Sequence, residues 1–108
     1  MLSRKELALM AKAFEENTPT VNVLQEVMGE RQAQRAKWGE QNCSDFEWVS
    51  IMVEEVGEAC KEANDLNFIA IDDATALPRL RAELLQVAAV AVAWVEAIDR
   101  RELKKQKD

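Results

Sequence analysis

The sequence predicts an all-α fold, a single four-helix bundle over residues 1–108, and three observations carry that prediction. Helix formers dominate: Ala, Leu, Glu, Lys, Gln and Arg are abundant, Tyr is absent, and only 3 Gly and 2 Pro interrupt the chain. Two Ser-x-x-Glu capping boxes, Ser3 with Glu6 and Ser44 with Glu47, each precede a run with helical apolar spacing. No segment alternates with the period of two that a half-buried strand requires. With 48% apolar and 31% charged residues, the composition is that of a folded domain rather than a disordered chain.

The first helix starts at the Ser3 cap and ends near Glu16, ahead of Asn17, Thr18 and Pro19, so that residues 1–17 form an N-terminal helical segment. Pro19 suits the first turn of the second helix, where its missing N–H costs nothing. That helix continues to about Trp38 on a stripe of Val21, Leu24, Val27 and Met28; beyond Gly29 it becomes strongly polar, ERQAQRAKWGEQ. Gly39 closes it, and a short loop leads to Ser44. The third helix is expected to reach about Asn64. Residues 65–77 then read as the longest connection, with Asp72, Asp73 and Thr75 as possible caps and Phe68, Ile69 and Ile71 packing it down. The fourth helix is expected from about Pro78 past Arg101, with 102–108 a frayed tail whose lysines suit a helix C-terminus.

The fourth helix is apolar almost all the way round from Leu84 to Val95, in LRAELLQVAAVAVAWVEAID. Such a helix is buried on most sides, more than the three others of a small chain readily cover. A homo-oligomer, dimer or tetramer, built on the fourth helix is the expected solution.

The bulk properties exclude several classes of partner. A net charge of −6 argues against a nucleic-acid polymer, which calls for a basic surface. No window reaches the ~20 apolar residues of a membrane span. The two cysteines, Cys43 and Cys60, do not form a disulfide framework, Cys60 reads as a small hydrophobe on an apolar face, and no signal peptide is evident. A cytoplasmic location is the expectation.

The most informative segment is WVSIMVEEVGEACKE, residues 48–62. At about 100° per residue, Glu54, Glu55, Glu58 and Glu62 crowd into roughly a quarter of the helix circumference. Val49, Met52, Val53, Val56, Ala59, Cys60 and Ala63 occupy the other side. Like charges at i,i+4 repel by a few tenths of a kcal/mol per pair, although a solvated surface face would look the same. Glu83 opens the buried stripe of Val87, Val90 and Trp94, which is expensive for a carboxylate without a partner. Should the two helices pack antiparallel, Glu55 and Glu58 meet Glu83, with the Gln86 amide one turn on. A site of oxygen ligands in a chain with no histidine points to a hard divalent cation, Mg²⁺ or Mn²⁺.

EEVGE at 54–58, followed after a gap by ExxQ at Glu83–Gln86 ahead of an Ala/Val-rich helix, resembles the all-α nucleotide pyrophosphohydrolases of the MazG type. Their signature is EExxE followed by ExxD. RQAQRAKWGEQN and the fourth-helix pattern are similar to small MazG-like proteins, and the resemblance covers about residues 30–101. It implies a Mg²⁺-dependent hydrolase that splits a (deoxy)nucleoside triphosphate into the monophosphate and pyrophosphate, acting on non-standard or surplus nucleotides. By position it makes Glu55, Glu58 and Glu83 the metal ligands, with Glu54 a further ligand or water-orienting base. Gln86 stands where the family has its fourth carboxylate. An amide can offer an oxygen to the metal but cannot act as a base, which leaves open a nucleotide- or metal-binding module without efficient hydrolysis. A purely structural helical oligomerisation module is the remaining alternative. For the substrate, Arg31, Arg35 and Lys37 are candidates to hold phosphates, Trp38 to stack a base, and Gln41 or Asn42 to read its edge. Lys61 is expected to balance the carboxylates. Trp48 and Trp94 are expected to be packing residues.

Overall fold

The computed structural model of the chain describes residues 1–68 and 73–107. Four helices account for almost all of them: α1 Arg4–Glu16, α2 Thr18–Trp38, α3 Asp45–Phe68 and α4 Asp73–Lys107. Both capping boxes form. The Ser3 and Ser44 hydroxyls accept from the N–H groups of Glu6 and Glu47, whose carboxylates accept from the serine N–H in return. Gly39 ends α2 with φ of 69°, a left-handed conformation that costs a glycine nothing.

Two boundaries differ from the sequence expectation. α3 runs to Phe68 rather than Asn64, and α4 begins at Asp73, so the connection expected over 65–77 is mostly helix. Pro78 therefore lies inside α4 instead of opening it. It is the sixth residue of α4, so the helix forgoes one regular hydrogen bond, to the Ala74 carbonyl, in its second turn. Asp73 and Thr75 are helical residues, while Ile69, Ile71 and Asp72 lie outside the described residues. At the other end the lysine-rich segment expected to fray is helical through Lys107. At about 1.5 Å per residue, α4 alone is about 52 Å long, close to the longest dimension of the molecule, 55 × 37 × 22 Å.

α4 is the central element, with α3 packed along one side and α2 along another, whereas α1 barely touches the rest. The core between α3 and α4 joins Trp48 to Val90, Ala93 and Ala97, with Cys43, Ile51, Met52 and Trp94 packed around it. Small residues on α4 let its neighbours approach closely: Ala89 is completely buried, and Trp48, 2% exposed, lies over the alanines. Trp48 stacks on Trp94 at 6.5 Å with the rings 12° apart, and the Trp94 indole N–H donates to Asp45. Both tryptophans are thus packing residues, as expected.

Trp48 and Ile51 decide how α3 is turned. In helical projection they fall on the same side as Glu55 and Glu62, so seating them on α4 rotates the acidic arc towards α4. Much of the apolar side of α3 is consequently left in solvent: Phe46, Val49, Val53 and Val56 are exposed, and so is Cys60, which does not pack as a buried hydrophobe. The radius of gyration, 17.0 Å, exceeds the ~13 Å of a compact chain of this length. No helix among the described residues is long and apolar enough to cross a membrane.

Candidate functional site

Rotation of α3 onto α4 brings Glu55 and Glu58, one turn apart, against Glu83 on α4. One carboxylate oxygen from each lies within 4.8 Å of the others. Glu55 and Glu83 are half-buried and Glu58 is exposed. Burial, followed by the charges of Glu58 and Glu54, raises the Glu55 carboxyl above its ordinary pKa. Glu83 is raised too, first by burial and then by Glu58, which lies within hydrogen-bonding reach, and by the charges of Glu55 and Glu62. A buried oxygen of Glu62, Oε2, has no hydrogen-bond partner among the described residues. Among the described residues no arginine or lysine is paired with these carboxyls, which raise one another's pKa.

That arrangement fits a divalent metal. Oxygens across an octahedral Mg²⁺ sit at most about 4.2 Å apart, twice the ~2.1 Å bond. Small rotamer adjustments, easy for the exposed Glu58, close the remaining gap. Glu54 follows on the exposed side of α3, beside the triad. Gln86 is turned the other way: its amide donates to Glu30 on α2 at 2.5 Å.

Next to the triad a cleft of about 480 Å³ opens between α2, α3 and α4, within the range of small-molecule sites. Glu55 belongs to both, so the cleft and the triad are continuous. Glu30, Gln34, Lys37 and Trp38 form its α2 side, with Gln41 from the following loop, Trp48 and Ile51 its floor on α3, and Gln86 and Val90 its α4 wall. Trp38 is exposed at the rim with the Lys37 ammonium 4.7 Å from its ring. The indole N–H of Trp48, which also lines the cleft, is buried without a partner among the described residues.

Arg31, Arg35 and Asn42, also singled out in the sequence, are engaged by other side chains. Arg31 donates to Glu96 at 2.7 Å and Arg35 at 2.5 Å, so both are held on α4 beside a separate groove, away from the triad. Asn42 receives a hydrogen bond from Arg100 and donates to Glu40, and the Gln41 carbonyl accepts from Arg100. Lys61 is exposed on α3, three residues past Glu58.

Glu30 and Glu96 are engaged in ways the sequence reading missed. Glu62 was legible as part of the acidic arc. Nothing local marks Glu30 or Glu96, because their partners are 56 and 65 residues away along the chain. Comparison with known protein families, with curated proteins and with solved structures finds no match to this chain.

Proposed function

We propose that this protein is a Mg²⁺-dependent nucleoside triphosphate pyrophosphohydrolase of the MazG-like type, releasing pyrophosphate and a (deoxy)nucleoside monophosphate, and working as a homo-oligomer. The observation that carries the reading is the continuity of the carboxylate triad with a nucleotide-sized cleft through Glu55. Glu55, Glu58 and Glu83 would hold the metal, which would supply neutralisation of phosphate charge and activation of water. Glu54, beside the triad, would be the residue to orient a water. Lys37 meets the phosphates from the cleft wall, with Lys61 at the outer edge of the triad, while Trp38 offers a face for base stacking and Gln41 lies within hydrogen-bonding reach of the cleft. Arg31 and Arg35 are paired with Glu96 on α4.

A second reading, a binding module of the same architecture, is favoured by one observation: the Gln86 amide is engaged with Glu30 rather than added to the triad. Pyrophosphate release from a panel of nucleoside and deoxynucleoside triphosphates, measured with Mg²⁺, Mn²⁺ or EDTA, separates the two. Metal-dependent release is expected. Silence from folded protein across the panel would sink the enzyme reading. A large gain of turnover in Gln86→Asp would then identify a weakened catalyst.

A further inference from the structure

We infer that Glu30 of α2 accepts a hydrogen bond from a sugar hydroxyl of the bound nucleotide, an assignment that rests on the nucleotide reading of the cleft. It holds equally for the hydrolase and for the binding module, since both bind the same ligand. Glu30 lines the cleft with a half-buried carboxylate. Among the described residues that carboxylate has one partner, the Gln86 amide on Oε2, and no arginine or lysine is paired with it. A half-buried carboxylate with an unused oxygen is costly unless a ligand supplies a donor.

The course of the cleft limits which donor that is. Gln86 lies one turn past Glu83 on α4, so its bond to Glu30 stands at the triad end. From there the lining advances from Glu30 to Trp38 on α2, from Glu55 back to Trp48 on α3 and from Gln86 to Ala93 on α4. At about 1.5 Å per residue, those seven or eight positions give a cleft about 11 Å long. A nucleotide with its reacting phosphates at the triad and its base on Trp38 therefore lays its sugar beside Glu30.

Each other part of such a ligand is unsuited to that carboxylate. Phosphate oxygens are acceptors of like charge, and the amino groups of a base lie at the far end with Trp38. Sugar hydroxyls are the donors in between. Gln86 anchors Oε2 and leaves Oε1 to the ligand. A hydroxyl bonded to an ionised carboxylate contributes about tenfold or more in affinity. Dinucleotide sites use an acidic side chain on a ribose hydroxyl in the same way.

Calorimetric binding of α,β-methylene nucleoside triphosphates with Mg²⁺ tests this without requiring turnover. Four forms on the tightest-binding base are compared: ribo, 2′-deoxy, 3′-deoxy and 2′,3′-dideoxy. Loss of the 2′ or the 3′ hydroxyl is expected to weaken binding about tenfold or more. Dependence on the 2′ hydroxyl marks a ribonucleotide site, and dependence on the 3′ hydroxyl alone a site that also takes deoxynucleotides. In Glu30→Ala the ribo and dideoxy forms are expected to bind within about twofold of each other, with helical circular dichroism retained. Should Glu30→Ala not fold, Glu30→Gln, which keeps the shape and loses the charge, is expected to shrink the difference about threefold. Equal binding of all four forms by the wild type overturns the inference, and metal-dependent pyrophosphate release would then leave the hydrolase reading standing. A sugar dependence undiminished in a folded Glu30 variant overturns it as well. Failure of every form on every base to bind removes the nucleotide reading and this assignment together.

Discussion

Glu83 and Glu96 of α4, thirteen positions apart, stand in opposite electrostatic situations. Glu96 is clasped by Arg31 and Arg35 of α2, and those hydrogen bonds, Arg31's above all, hold its carboxyl below the ordinary range. Glu83 faces Glu55, Glu58 and Glu62 of α3, and burial together with their charges holds it above that range. The chain neutralises Glu96 from within, which makes it a structural link between α2 and α4. Among the described residues no arginine or lysine is paired with Glu83, whose neighbours are carboxylates.

Glu58→Gln tests that contrast with the largest expected effect. If Glu58 holds the metal of a hydrolase, pyrophosphate release should fall by about a hundredfold or more while helical circular dichroism is unchanged. Undiminished turnover would remove the triad from the mechanism. Saturating Mg²⁺ should raise the stability of the wild type, by about 2.7 kcal/mol at a hundred times its dissociation constant, and leave Glu83→Gln almost unmoved. An equal response in the two proteins would mean that the ion binds elsewhere or only screens charge.

Glu96→Gln should act on stability rather than on metal binding. It strands two arginines, one of them largely buried, and a loss of about 2 kcal/mol is expected in urea denaturation. A cost near zero would show that the link contributes nothing. By contrast, Glu83→Gln should be neutral or slightly stabilising without metal, because it relieves repulsion.

The smallest effect is in the pH dependence. The carboxyls of Glu55 and Glu83 are raised in the folded state, so that state binds more protons than the unfolded chain as pH passes through their range, and the stability they contribute is lost as pH rises. Without divalent ions the melting temperature should therefore climb as pH falls from 7 towards about 5. At lower pH the lowered carboxyls of Glu96, Glu26 and Glu47 become protonated, and stability falls. Saturating Mg²⁺ should flatten the first limb, since the cation replaces the proton. An unchanged slope in Glu83→Gln would show that other groups cause it.

Local signals were readable wherever the chain acts on its own neighbours. Ser3 and Ser44 announce their capping boxes, Gly39 its left-handed turn, and the 54–62 arc its crowding of carboxylates. Pro78 misled the sequence reading: proline commonly opens helices, whereas here the helix begins five residues earlier and holds the ring in its second turn. Arg31 and Arg35 looked like phosphate ligands because their i,i+4 spacing presents two cations together. That spacing carries no information about Glu96, which the fold brings to them.

The sequence by itself determined the helices, their caps and the acidic arc, because helix propensity, capping and the 100° turn are local properties. It also placed a carboxylate at the head of an apolar stripe on α4. The tertiary structure decided which way α3 turns, and with it what the arc meets. Trp48, the largest side chain fully buried in the core, fits against the alanines of α4 in one orientation. Burying it sets Glu55 and Glu58 against Glu83 and leaves Val49, Val53 and Val56 in solvent.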